Sequence, residues 1–135
     1  MNQLSGIINS IETSEAISLI TIEAFGEQFY SLVLDTPETA SYLQVGQEIF
    51  MVFKETEMSI GKNITGALSL GNWFPAVIQA IQMGKVLTSL TLNFKGQLLG
   101  AIITTRSTQQ MNLAVGDEVV GLVKTNEVSL TKELL

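Results

Sequence analysis

The residues best equipped for chemistry in this chain are two lysines at the ends of very apolar runs. Lys54 closes Ile49-Phe50-Met51-Val52-Phe53, and Lys124 closes Val119-Val120-Gly121-Leu122-Val123. A lysine so placed either snorkels to solvent over its packed stem or, at a domain or subunit seam, neutralises a bound anion. Thr125 follows Lys124 and adds a hydroxyl and a backbone N–H beside the charge, whereas Glu55 after Lys54 would repel an anion. Thr104 and Thr105, expected where a strand ends, supply hydroxyls, although a strand residue or helix cap explains them too. Ser69, Gly71 and Asn72 lie at a chain entry where Gly71 permits close backbone approach and Ser69 and Asn72 can donate hydrogen bonds. An ordinary turn explains these three equally well.

Composition narrows what such groups can do. The 135 residues include neither histidine nor cysteine, which removes the commonest general base and the usual soft metal ligands. Function must therefore run on hydroxyls, amides, carboxylates, lysines and backbone groups. No nucleophile–base constellation can be assembled from the ordinary residues, so no enzyme is expected. The net charge of −6 argues against a nucleic-acid surface, even though Trp73 and Phe74 could in principle stack on bases. That charge is divided unevenly: residues 1–64 carry two lysines against nine acids, and residues 65–135 carry five basic residues against four acids. The second half is the better host for an anion. No apolar run reaches the roughly 18–20 residues of a membrane span, and the start lacks the basic and apolar regions of a signal peptide. A soluble cytoplasmic protein without membrane contact is expected.

The elements that would position these residues come in two copies. Displaced by 70 positions, residues 2–62 align with 72–132 without a gap, at about one-fifth identity. Asn2/Asn72, Ile8/Ile78, Gly26/Gly96, Val45/Val115, Gly46/Gly116, Lys54/Lys124 and Ser59/Ser129 are among the identical pairs. Such ungapped self-similarity predicts two like domains, here 1–62 and 72–135 joined by a linker over 63–71. Each copy reads as the same succession. Strands are expected near 4–12 and 74–82, then 16–25 and 86–94, then 27–34 and 97–104. A short helix follows in each copy. In the first, Asp35-Thr36-Pro37-Glu38 offers a cap, a first-turn proline and a capping box between Asp35 and Glu38. In the second, Thr105 or Ser107 could cap a helix running to about Asn112. A fourth strand over 48–54 or 118–124 and a last short segment ending at Ile60 or Leu130 complete each copy. The expected class is all-β with one short helix per repeat, arranged as two tandem OB-like Greek-key barrels.

The residues also resemble a known family. Asn2-Gln3-Leu4-Ser5-Gly6-Ile7-Ile8 looks like the opening of the molybdate-binding Mop (TOBE) family. Ala101-Ile102-Ile103-Thr104 with Ser107, followed by Leu113-Ala114-Val115-Gly116-Asp117-Glu118-Val119, is similar to its middle motif. Val123-Lys124-Thr125 and Val128-Ser129-Leu130 resemble its closing motif. The resemblance covers nearly the whole chain twice, as in tandem molbindins. It implies OB-like barrels that take molybdate or tungstate at seams between domains. It also implies a homo-oligomer, with a trimer of tandem chains favoured over a dimer. Family sites use a Ser-Ala-Arg-Asn segment, a strand-ending Thr, and a Lys followed by a small residue. By position these correspond to Ser69 and Asn72 with Gly71 where Arg is usual, to Thr104, and to Lys124-Thr125.

The first copy departs further from the pattern. Met1 stands at the Arg position beside Asn2, Leu34 replaces the Thr, and Glu55 follows Lys54. The resulting expectation is reversible binding of molybdate or tungstate for storage, buffering or sensing. Ser69, Gly71, Asn72, Thr104, Lys124 and Thr125 are the principal contacts, with Asn2 and Lys54 as weaker counterparts. No organic cofactor and no direct protein–metal ligand is expected, because the metal enters as its oxyanion. The competing expectation is a regulatory module of a molybdate-responsive regulator or transporter ATPase, or a non-binding interaction homologue. The chain carries no helix-turn-helix, and Ile60-Gly61-Lys62-Asn63 lacks the glycine spacing and Ser/Thr of a phosphate loop.

Overall fold

A computed structural model describes residues 1–134; Leu135, the last residue of the expected second repeat, lies outside the described residues. The fold is all-β, with ten strands and one short α-helix among the described residues. The first copy contributes β1 (Asn2–Ser14), β2 (Ile17–Ala24), β3 (Glu27–Val33), β4 (Glu48–Phe53) and β5 (Ser59–Gly61). The second contributes β6 (Asn72–Met83), β7 (Leu87–Phe94), β8 (Gln97–Thr104), α1 (Thr105–Gln110), β9 (Glu118–Val123) and β10 (Ser129–Thr131). A single 3-10 turn, Glu55–Glu57 or Thr125–Glu127, precedes each of the last short strands, β5 and β10.

The repeat extends into fine geometry. β1 pairs with β2 through a register shift between Ile8 and Ser10, and β6 with β7 through one between Ile78 and Ala80. At each bulge one isoleucine exchanges backbone bonds with the following turn. Gly46 N–H donates to Ile8 O at 2.8 Å, and Gly116 N–H donates to Ile78 O at the same distance. Gly46 and Gly116 have φ of +91° and +94°, a region that costs residues with a Cβ and that glycine enters freely. Strand alternation follows the expected faces. Ile20, Ile22 and Ala24 are buried in one copy, and Leu90, Leu92 and Phe94 in the other. Phe74 and Phe94 meet edge-to-face with centroids 5.4 Å apart.

The compact units cut across the repeat boundaries. The two sheets run β10-β4-β1-β2-β3 and β5-β9-β6-β7-β8. One unit, built on copy two, comprises Met1–Asn2 and Lys54–Val123; the other, built on copy one, comprises Gln3–Phe53 and the chain from Lys124. Each copy thus passes its closing segment to the sheet of the other. In the copy-two unit, Ser59, Ile60 and Gly61 pair antiparallel with Leu122, Gly121 and Val120. In the copy-one unit, Ser129, Leu130 and Thr131 pair with Val52, Met51 and Phe50. Lys54 and Lys124 are both extended (ψ 150° and 149°) where the chain leaves β4 and β9. Contiguous domains over 1–62 and 72–135, with 63–71 as a linker, therefore do not describe the compact units.

One helix differs from expectation. The segment after β3 forms turns over 37–39 instead of a helix. Its side chains compete for the backbone groups that a helix would use. Thr39 Oγ1 donates to Asp35 Oδ1 at 3.2 Å and accepts from Thr36 N–H at 2.8 Å, while Glu38 N–H goes to Thr36 Oγ1. The expected capping box between Asp35 and Glu38 is displaced by these contacts. In copy two the helix forms, and its cap is Thr104, one residue before Thr105: Thr104 Oγ1 accepts from Ser107 N–H at 3.1 Å.

Candidate functional site

Within the copy-two unit, two segments far apart in sequence meet at one corner. Asn2 is buried, and its amide bonds Gly100 in both directions: Asn2 Nδ2 donates to Gly100 O at 2.8 Å, and Gly100 N–H donates to Asn2 Oδ1 at 2.7 Å. Beside this pair lies Glu55, the first residue of the 3-10 turn that follows Lys54. A Cβ placed on Gly100 would come within 3.0 Å of Glu55 Cγ and 3.8 Å of Asn2 Oδ1. Glycine at this position lets the Glu55 and Asn2 side chains lie close over its backbone. The Met1 ammonium donates to Glu55 Oε2 at 3.0 Å and lies 2.8 Å from Oε1. That bond, joined by a backbone hydrogen bond within Glu55, holds the Glu55 carboxyl below its ordinary range. Lys54 N–H donates to Glu57 Oε1 at 2.9 Å, and Glu57 N–H returns to Lys54 O at 3.0 Å. The turn is thereby fixed, while the Lys54 side chain stays exposed and outside any ion pair among the described residues.

Thr104 lies elsewhere in the same unit, in a cleft of about 320 Å³. Thr56, Ser59 and Ser107 share this cleft with it over an apolar floor that includes Ile60 and Ile102. Thr104 Oγ1 donates to Ser107 Oγ at 2.9 Å, and Thr108 Oγ1 donates to Thr104 O at 3.0 Å. With the Thr104 proton committed to Ser107, the hydroxyls of Thr56, Ser59 and Ser107 are the ones that can donate to an oxyanion here, and they supply hydrogen bonds without charge. Thr56 and Ser59 were not candidates from sequence; the Ser59/Ser129 identity was the one available signal. Their presence here follows from the exchanged closing segment, which brings copy-one residues to the end of β8.

Ser69 and Gly71 precede β6; Ser69 is exposed and Gly71 half-buried. The local turn is closed by Trp73, whose Nε1–H donates to Leu70 O at 2.7 Å. Asn72 is fully buried, opposite Val123 in the β6–β9 ladder. Lys124 and Thr125 belong to the copy-one unit, where they open the 3-10 turn before β10. Lys124 is exposed, Thr125 is half-buried, and Lys124 has no ion pair among the described residues. The turn is anchored by Ser31, whose buried Oγ donates to Val128 O at 2.6 Å. Of the eight candidate residues, the copy-two unit holds Asn2, Lys54, Ser69, Gly71, Asn72 and Thr104, and the copy-one unit holds Lys124 and Thr125.

A further ionic contact escaped the sequence reading. In the copy-two unit Lys62 Nζ donates to Met111 O, Asn112 O and Asp117 Oδ2 at 3.3, 3.1 and 3.0 Å. A cation against carbonyls just after a helix end is favourably placed. Asp117 Oδ2 also accepts from Ala114 N–H at 2.9 Å. The Lys62 hydrogen bond first, and the Ala114 N–H second, hold the Asp117 carboxyl below its usual range. Among the described residues no cluster of three His, Cys, Asp or Glu could hold a metal ion, and no helix is long and apolar enough to cross a membrane.

Comparison with known proteins adds independent information. Residues 68–130 match the TOBE domain family. A stretch of 69 residues is 39% identical to the molybdenum import ATP-binding protein ModC of Brucella abortus (strain 2308), and the ModC of Brucella suis biovar 1 (strain 1330) matches equally. These matches take in 50% of this chain and 19% of the relatives, so the chain spans about a fifth of their length. Among solved structures, the cytoplasmic molybdate-binding protein ModG, crystallised with molybdate bound, superposes with a TM-score of 0.89 at 20% identity. That match covers 96% of this chain and 94% of ModG, and it shows the shared fold. A molybdate-binding protein from Sporomusa ovata is 33% identical over its whole length and 50% of this chain, with a TM-score of 0.49.

Proposed function

We propose, from the TOBE match over residues 68–130, that the chain is a TOBE-family protein that binds molybdate or tungstate reversibly, as a store, buffer or sensor. One observation carries the proposal: the TOBE match over 68–130 includes Ser69, Gly71, Asn72, Thr104, Lys124 and Thr125. These six are the contacts assigned to the oxyanion. A tetrahedral dianion requires converging N–H and O–H donors with partial neutralisation, and charge-assisted bonds are the stronger kind. Lys124 supplies the charge, Thr125 and Thr104 supply hydroxyls, and the Ser69–Asn72 segment supplies backbone and side-chain donors. No group in this set performs chemistry on the ligand, so the role is binding and not catalysis. The sites lie at seams between copies of the chain in a cytoplasmic homo-oligomer, for which a trimer is favoured over a dimer.

Calorimetric titration of the full chain with molybdate, tungstate and sulfate tests this reading. Heat with molybdate or tungstate that is lost in Lys124→Ala supports it. No heat with any oxyanion at tens of micromolar would sink it.

A second reading is favoured by the identity to ModC, of which the chain spans only a fifth. In that reading the chain is a regulatory module acting on a transporter ATPase or a transcription regulator. Molybdate-dependent co-purification of such a partner on the tagged chain distinguishes it from a stand-alone store.

A further inference from the structure

The corner formed by Met1, Asn2, Lys54, Glu55 and Gly100 has the parts of an anion site and is already filled from within the chain. The resemblance pairs the Met1–Asn2 segment with Lys54 and the residue after it, as it pairs the 69–72 segment with Lys124-Thr125. The fold brings Met1–Asn2 and Lys54–Glu55 together in one unit. What lies between them is the carboxylate of Glu55, 2.8 and 3.0 Å from the Met1 nitrogen. Its stem passes close over Gly100, where an added Cβ would lie 3.0 Å from Glu55 Cγ. The Asn2 amide has its oxygen and one of its two N–H donors engaged on the Gly100 backbone, which leaves a single N–H.

We propose that Glu55 is a built-in counter-anion that occupies the copy-one oxyanion position and closes it to ligand. This inference rests on the oxyanion reading given above. A carboxylate presents two acceptor oxygens to the donors that would otherwise receive two oxygens of molybdate. It carries negative charge into the space an incoming dianion would need, so like-charge repulsion opposes entry. The 3-10 turn holds it there, because Glu57 ties back to Lys54 N–H and leaves Glu55 facing Gly100. In the second copy the equivalent residue is Thr125, which has a hydroxyl donor and no charge. Of the differences between the copies, which include Met1 for Gly71 and Leu34 for Thr104, Glu55 is the one that places a negative charge in the position, and the chain takes oxyanion at half the positions its repeat would allow.

The test is calorimetry on the full-length chain with sodium molybdate, comparing wild type with Glu55→Thr and Glu55→Ala. Two variants are used so that a folding defect in one, read by circular dichroism, leaves the other informative. The expected result is an additional equivalent of molybdate per chain in either variant, with an affinity that weakens as salt is raised. Wild type that binds, with no gain in either folded variant, overturns the inference and leaves the oxyanion reading standing. Wild type that does not bind while a variant does upholds the inference and overturns the contact set built on Lys124. No binding by any of the three overturns the oxyanion reading and this inference with it.

Discussion

Exchange of the closing segments predicts a size match that can be tested by moving two side chains. In the copy-two unit a Cβ on Gly121 would lie 2.8 Å from Met58 Sδ and 3.1 Å from its Cε. Met58, from the exchanged segment, is 2% exposed and fills the space a larger β9 residue would take. The corresponding positions in the copy-one unit are Met51 and Val128, both buried. A glycine goes with a methionine in one unit, and a methionine with a valine in the other. If each segment closed its own sheet, one unit would combine Met51 with Met58 and the other Gly121 with Val128, giving crowding and a void. Gly121→Met in the intact chain reproduces the crowding. Overpacking costs about 1–3 kcal/mol, and removing a strand glycine returns about 0.5–1 kcal/mol, so a net loss of up to about 2.5 kcal/mol is expected. Met58→Val alone opens a smaller void and costs about 1–2 kcal/mol. Together they recreate the Met51/Val128 combination and should recover about 1 kcal/mol or more relative to the sum. Urea denaturation followed by the fluorescence of Trp73, the one tryptophan, measures all four corners of the cycle. Strict additivity of the two substitutions would refute the size-match argument.

Further outcomes follow from single contacts. Lys124→Ala should weaken molybdate binding about tenfold or more, since a hydrogen bond to a charged group contributes about 1.5–3 kcal/mol; titration calorimetry at fixed salt reads it. Ser31→Ala removes the buried donor to Val128 O and should cost about 1 kcal/mol, with faster hydrogen exchange in β10 than in β5 as the local signature. The Asp117 carboxyl is held below its ordinary value by Lys62, so its folded pKa lies under its unfolded one. Its contribution to stability is complete above the unfolded pKa and disappears as pH falls through the folded value. Urea midpoints measured from neutral pH down to pH 3 should therefore converge for wild type and Asp117→Asn at the acid end and differ at neutrality.

Much of the architecture was legible because the repeat is ungapped. Every strand appeared within two residues of its expected limits, and the glycine turns at Gly46 and Gly116 fell where the aligned copies placed them. Period-two alternation in β2 and β7 identified the core face directly, because a strand with one buried face must repeat its apolar residues every second position. The expected copy-one helix does not form although Asp35-Thr36-Pro37-Glu38 looks like a capping sequence. In the structure the same oxygens and N–H groups satisfy one another within a turn, which sequence spacing cannot distinguish from a first helical turn. The closing segments were invisible for a different reason. Ser59-Ile60-Gly61 and Ser129-Leu130-Thr131 are too short and too alike for their patterns to choose a sheet. The choice is carried by volumes at Gly121 and Met58, which become complementary only when the partner is known.

That exchange changes what a degenerate copy means. The resemblance places Met1, Asn2 and Glu55 in the copy that departs further from the family pattern and Lys124-Thr125 in the copy that keeps to it. In the folded chain Met1, Asn2 and Glu55 belong to the unit built on copy two, and Lys124-Thr125 to the unit built on copy one. Loss and retention are thus properties of segments and not of compact units. Glu55 can close one position without disturbing either sheet core, because it acts from a 3-10 turn at the edge of β8 while Met58, three residues later, does the packing. The division of labour within Lys54–Ser59, charge first and core contact after, lets an ungapped repeat keep its fold in both copies while its binding residues diverge in one.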